Sequence, residues 1–231
     1  IPVFDEPGST PRDDAIDVAV NADITLGFSE NIVGITGGEG AETMTGGFGN
    51  DLIQAGAGED MVYGNQDDDQ IYGNQGGDML YAGQGGDTLF GGQGSDVVYG
   101  NKGEDELFGN KGDDVLLGNQ GSDVLAGGEG NDSLFGGQDG DTLNGGLGDD
   151  ILIGGLGADV FAFTDPGGGQ DIIQDYNAAA GDVIAGGLFG PNSTVELIDP
   201  ANPGAGIRLL TGDISLTLIG VTSIDDVVFS T

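Results

Sequence analysis

Thirteen aspartates recur at intervals of nine residues: Asp51, Asp60, Asp69, Asp78, Asp87, Asp96, Asp105, Asp114, Asp123, Asp132, Asp141, Asp150 and Asp159. Glu42 holds the same place one interval earlier. Carboxylates at a fixed spacing are oxygen donors for a hard divalent cation. The groups that other chemistries need are missing. The chain has no His and no Cys, which removes the commonest general base, the usual zinc and copper ligands and any thiol nucleophile. An HExxH helix or a Ser–His pair is out of reach, and no G-x-S-x-G elbow occurs. The paired aspartates Asp113-Asp114 and Asp149-Asp150 are read as loop and ligand residues, and no enzyme is expected within these residues.

Each aspartate is the sixth residue of a nonapeptide, Gly-Gly-x-Gly-x-Asp-x-apolar-x, repeated fourteen times without a gap from Gly37 to Ala162. Gly91-Gly92-Gln93-Gly94-Ser95-Asp96-Val97-Val98-Tyr99 is one copy. Position eight is apolar throughout, from Met44, Ile53 and Val62 to Leu143, Leu152 and Phe161. Three residues around it suffice for a short strand with one inward side chain. The next nonapeptide supplies the covering strand, so one coil is two repeats and the core is a double row of position-eight side chains. The six remaining residues are expected to reverse the chain. Glycine at positions one, two and four permits the positive φ of a tight loop, and Asn at position two (Asn65, Asn74, Asn101, Asn110, Asn119) is its most tolerant substitute.

Coils stacked at about 4.8 Å place Asp69 near Asp87, and Asp87 near Asp105. Bare charges at that separation repel by about 3 to 4 kcal/mol at an effective dielectric of about 20. A divalent cation between them reverses the sign. Calcium suits the site because it accepts six or more oxygens in adaptable geometry and a glycine loop bares its carbonyls, whereas magnesium demands a rigid octahedron. One apolar side chain per nonapeptide is too little to order glycine-rich loops, so folding is expected to be coupled to calcium binding.

The repeat resembles that of the RTX (haemolysin-type calcium-binding nonapeptide) family. The resemblance implies an all-β fold: a right-handed parallel β-roll (β-solenoid) of about seven 18-residue coils. It also implies that each ion lies between loops one coil apart, held by both position-six carboxylates and by carbonyls from positions one to four. Those carbonyls would belong to Gly47, Gly49, Gly56, Gly58, Asn65, Asp67, Asn74, Gly76, Gly83, Gly85, Gly92, Gly94, Asn101, Gly103, Asn110, Gly112, Asn119, Gly121, Gly128, Gly130, Gly137, Asp139, Gly146 and Gly148. Seven loops per edge leave six gaps per edge and up to twelve calcium ions, which would bring the net charge from −36 to −12. Glu42 puts the first site in doubt, Asp67 and Asp139 replace the position-four glycine, and Ala55 and Ala82 at position one are read as milder departures.

Composition limits the partners. Forty acidic residues against four basic ones, Arg12, Lys102, Lys111 and Arg208, repel nucleic acid and anionic membrane surfaces. No apolar run reaches the about 18 residues of a membrane-spanning helix. A disordered acidic tail would share this composition, and the repeat argues against it. Position nine is aromatic from Tyr63 to Phe108. These residues are expected to form two outward ladders that stabilise the sheets, with a surface for a cell-surface polysaccharide or protein as the alternative.

Residues 1–36 read as a Pro-rich linker followed by capping strands, 37–162 as the roll, and 163–231 as a β-rich cap with a hairpin about Thr211-Gly212-Asp213. The chain begins at Ile1, so it is expected to be processed or cut from a longer protein. Its end, Asp225-Asp226-Val227-Val228-Phe229-Ser230-Thr231, is similar to the terminus of type I secretion substrates. The reading is an extracellular or cell-surface calcium-binding roll, exported by the type I secretion apparatus, with a structural, surface or matrix role. The alternative is the calcium-dependent export and folding module of a larger secreted enzyme or toxin.

Overall fold

The computed structural model describes residues 34–164, 169–186, 194–197, 206–211, 214–221 and 223–229. The linker, the expected strands between residues 15 and 33, the hairpin turn Gly212-Asp213 and the last two residues lie outside them.

Each nonapeptide contributes one strand. After the two-residue β1 (Ile35–Thr36) and β2 (Thr43–Gly47) come twelve strands of six residues. They are β3 (Leu52–Ala57), β4 (Met61–Gln66), β5 (Gln70–Gln75), β6 (Met79–Gln84), β7 (Thr88–Gln93), β8 (Val97–Lys102), β9 (Glu106–Lys111), β10 (Val115–Gln120), β11 (Val124–Glu129), β12 (Ser133–Gln138), β13 (Thr142–Leu147) and β14 (Ile151–Leu156). β15 (Val160–Ala162), β16 (Gln170–Ile173) and β17 (Val183–Ala185) follow. Odd strands form one parallel sheet from β1 to β17 and even strands the other from β2 to β16, each strand pairing with the one two ahead. The register is eighteen residues as far as β15, as in Leu80↔Val98 and Leu89↔Leu107.

The strands are longer than three residues and the loops shorter than six. Pairing runs from position seven to position three, as in Leu52↔Gln70 through Ala57↔Gln75, and only positions four to six reverse the chain. The physical reason is at position two. A left-handed residue there, such as Gly92 (φ 119°) or Asn101 (φ 74°), turns the strand without ending it, and pairing resumes at Gly92↔Asn110. The asparagines support their own conformation: Asn74 Nδ2 donates to the carbonyl of Tyr72 at 3.3 Å.

Side chains alternate accordingly. Position-eight residues are fully buried in one row per sheet, from Met44 to Phe161. Position one also points inward, and its two alanines, Ala55 and Ala82, are fully buried. Position nine faces outward in both expected ladders, with Tyr63, Tyr81 and Tyr99 stacked at 4.9 and 4.7 Å, and Tyr72, Phe90 and Phe108 at 4.9 Å. The rings lie within 10° of parallel, so their faces are spent on one another and their edges meet solvent. Stacking of this kind supports the parallel sheets.

Beyond the fourteenth repeat the chain extends the roll, which reaches about eight coils. β16 joins β14 in parallel and β17 joins β15. Asp175 fastens this turn, its two carboxylate oxygens accepting from the N–H of Gly154 and Gly155 at 3.0 and 2.7 Å. The hairpin is present as β19 (Gly206–Thr211) and β20 (Ile214–Ile219), with β18 (Thr194–Leu197) antiparallel to β19 and β20 parallel to β16. A short 3-10 helix, Ile224–Asp226, precedes a parallel bridge from Phe229 to Ile184.

Leu116→Ala removes a fully buried side chain and should lower stability by about 2 to 5 kcal/mol in calorimetry with excess calcium. Replacing Tyr63, Tyr81 and Tyr99 together by Thr breaks two ring stacks and should cost about 1 to 3 kcal/mol. Unchanged stability with loss of binding to an isolated surface glycan or protein would instead make the ladder a recognition surface.

Candidate metal centre

All thirteen aspartates come together in two rows, one along each edge. Asp51, Asp69, Asp87, Asp105, Asp123, Asp141 and Asp159 precede odd strands, and Asp60, Asp78, Asp96, Asp114, Asp132 and Asp150 precede even ones. Their residues are between 0 and 3 % exposed. The backbone fixes them there. The N–H of Asp69 donates to Oδ1 of Asp87 at 2.7 Å, the N–H of Asp87 to Asp105 at 2.8 Å, and the N–H of Asp96 to Asp114 at 2.8 Å. The carbonyl of Asp69 in turn accepts from Thr88 N–H one coil on. Each carboxylate thus lies between its own loop and the loop before it.

The second oxygen is left over. Oδ2 of Asp60, Asp69, Asp78, Asp87, Asp96, Asp105, Asp114, Asp123, Asp132, Asp141 and Asp150 is buried with no hydrogen-bond partner among the described residues. Such an oxygen costs free energy unless something is supplied to it. The position-one glycine makes room for it: a Cβ on Gly118 would collide with Asp123 Oδ2 and stand 2.7 Å from the carbonyl oxygen of Gly136. Position one is therefore glycine for space and not for positive φ, which occurs at positions two and four. Ala55 and Ala82 place a methyl group here, and the carboxylates of their loops, Asp60 and Asp87, keep the same backbone N–H contact at Oδ1.

Electrostatics follow burial. Loss of solvent pushes Asp69 up to about 8 and Asp87, Asp96, Asp123, Asp132 and Asp141 up to about 7. Asp78, Asp105, Asp114 and Asp150 rise to about 6. The backbone N–H on Oδ1 opposes the rise, and neighbouring carboxylates one coil away add to it, as Asp105 does for Asp87.

The donor set fits calcium. No three carboxylates cluster among the described residues, and an ion between loops would have the two flanking carboxylates and nearby carbonyls to hold it. Carbonyls at position four accept no backbone hydrogen bond among the described residues. They stack closely, since a Cβ on Gly94 would collide with the carbonyl of Gly76. Asp67 and Asp139 keep the left-handed geometry at φ 70° and 73°, and Asp67 Oδ2 accepts from Gly49 N–H at 2.9 Å. The first loop differs: Gly38 and Gly40 stay out of the left-handed region, and Glu42 Oε2 accepts from Gly38 N–H at 3.0 Å.

Four copies of the profile for the RTX calcium-binding nonapeptide repeat match, at residues 36–71, 72–107, 99–134 and 126–161, more than half of the chain. The chain belongs to the RTX family. A comparison with curated proteins finds no match. Among solved structures, the crystal structure of extracellular lipase LipA from Serratia marcescens is similar at 19 % identity and a TM-score of 0.39, over 87 % of this chain and 39 % of that one. This chain therefore spans well under half the length of that protein.

Two residues of the rows were missed by the nonapeptide spacing. Asp171 and Asp182, 2 and 3 % exposed, follow Asp150 and Asp159 after 21 and 23 residues and accept their N–H groups at 3.1 Å. Gly169-Gln170-Asp171 and Gly181-Asp182 carry a trace of the signal, a glycine just before the aspartate.

The RTX roll should respond to pH in a direction set by these shifts. Unfolded aspartates titrate near 3.8 and the folded, metal-free ones at about 6 to 8. Below 3.8 both states are protonated and the fold has no charge penalty. As pH rises the unfolded state loses its protons first, so stability falls until the folded groups have also titrated. Circular dichroism of calcium-free protein should show more β-structure near pH 4 than near pH 8, and excess calcium should restore the spectrum at pH 8.

Proposed function

We propose that the chain is a secreted, non-enzymatic RTX roll that folds on meeting calcium outside the cell and has a structural, cell-surface or matrix role. The observation that carries the calcium-coupled part is the row of buried carboxylate oxygens without partners, from Asp60 to Asp150. A chain that buries so many charges at neutral pH has no stable folded state until a cation occupies the gaps. The thirteen aspartates are the proposed carboxylate ligands. The carbonyls of positions one to four complete each site, with up to twelve ions in the repeat.

The extracellular setting is supported by the same dependence. Calcium is scarce inside cells and abundant outside, so the chain would stay unfolded before export and fold after it. The acidic-then-apolar end supports type I secretion as the route. The chain's lack of His and Cys supports a role without catalysis in these residues. No helix among the described residues is long and apolar enough to cross a membrane, and a net charge of −36 disfavours nucleic acid.

The test is a calcium titration followed by circular dichroism, with magnesium as control. A cooperative gain of β-structure in calcium and none in magnesium is expected, and a β-rich spectrum unchanged in excess chelator overturns the proposal. Export is tested by deleting residues 223–231, which should leave the product inside the cell. A catalytic domain encoded ahead of Ile1 would replace the structural role with that of a folding module.

A further inference from the structure

The two carboxylate rows end differently. On the edge that leads into the even strands, Asp171 stands in register one coil beyond Asp150, with Ile151↔Ile172 paired directly after them. On the other edge Asp182 stands in the same relation to Asp159, with Val160↔Val183 paired. We propose that the gap between Asp150 and Asp171 is a calcium site outside the nonapeptide repeat, and that the gap between Asp159 and Asp182 is closed by the protein itself and takes no ion. The inference rests on the reading of the repeat as calcium-binding.

The loop before Asp171 copies the loops of the repeat. Gly169 is left-handed at φ 82°, and a Cβ on it would collide with the carbonyl of Gly148, as position-four glycines do throughout the roll. Gln170 N–H donates to Asp149 Oδ1 at 2.8 Å, continuing the contact that Asp149 N–H makes with Asn131 Oδ1 at 2.9 Å. Positions four, five and six are thus reproduced by Gly169, Gln170 and Asp171, except that the Gly169 carbonyl accepts from Ser215 N–H at 3.1 Å. The gap is supplied with unused donors. Asp150 is 1 % exposed and its Oδ2 has no hydrogen-bond partner among the described residues, where Asp171 is bonded at Oδ1, by Asp150 N–H at 3.1 Å.

The loop before Asp182 is built otherwise. Asn177 to Asp182 form a compact turn in which the Asn177 carbonyl accepts from Ala180 and Asp182 N–H. Both oxygens of Asp182 are engaged, Oδ1 by Asp159 N–H at 3.1 Å and Oδ2 by Asn177 N–H at 2.7 Å. Its carbonyl accepts from the Tyr176 hydroxyl at 3.1 Å. Gly181 meets only the Ala158 side chain and backbone, so no carbonyl stack is continued there. Two N–H donors take the place of an ion.

Anomalous scattering from crystals of the full chain grown in calcium should show a peak between the Asp150 and Asp171 loops and none between Asp159 and Asp182. Asp171→Asn keeps the acceptor for Asp150 N–H and removes the charge, and should lower the bound calcium by one ion per chain in equilibrium dialysis. Asp182→Asn should lower the melting temperature with the calcium count unchanged. Peaks along the repeat with none at Asp150 and Asp171, or an unaltered count in Asp171→Asn, overturn the new site alone. A peak at Asp182 overturns the closure. No peaks anywhere overturn the calcium reading and this inference with it. Should Asp171→Asn fail to fold, the map of the unaltered chain decides.

Discussion

Two rows of like charge are buried at the spacing of a β-sheet, and most of the structure follows from that constraint. A coil spacing of about 4.8 Å is fixed by backbone hydrogen bonding and cannot be stretched to relieve repulsion. The carboxylates from Asp60 to Asp159 cannot turn to solvent either, because the N–H of the preceding coil holds Oδ1 of each. What remains adjustable is the charge itself. Protons neutralise the rows at low pH, and a divalent cation does so at neutral pH while also supplying a partner to Oδ2.

The glycines divide into two physical classes under this constraint. At positions two and four they adopt left-handed backbone, and Asn or Asp substitutes where a side chain can be accommodated, as at Asn110 (φ 76°) and Asp139 (φ 73°). At position one the backbone is ordinary and the missing Cβ leaves space for a carboxylate, as at Gly109 beside Asp114. No asparagine occurs at position one, as expected if volume rather than φ is limiting there.

Much of this was legible in the sequence, because a strict period of nine fixes register once one coil is known to be two units. The sheet assignment, the inward row from Met44 to Phe161, the outward aromatic ladders and the pairing of Asp69 with Asp87 all follow from spacing. Strand length did not. A glycine pair reads as a strand terminator, yet Gly91 and Gly92 lie within β7, since inter-coil pairing carries a left-handed residue without loss of register. The extension of the rows to Asp171 and Asp182 was also hidden, because intervals of 21 and 23 residues break the period while the sheet preserves the alignment.

The roll also contains contacts that need no ion, and their placement matters for how it forms. In a linear stack each coil touches only its neighbours, so stability is a sum of local terms and order spreads from the strongest interface. The stacked rings from Tyr63 to Phe108 occupy β4 to β9 and lie on the outside, away from the carboxylates. They favour parallel pairing in register whether or not the gaps are filled. The carboxylate rows oppose that pairing while they are charged. The interior coils therefore combine the best ion-independent contacts with the same ionic requirement as the rest.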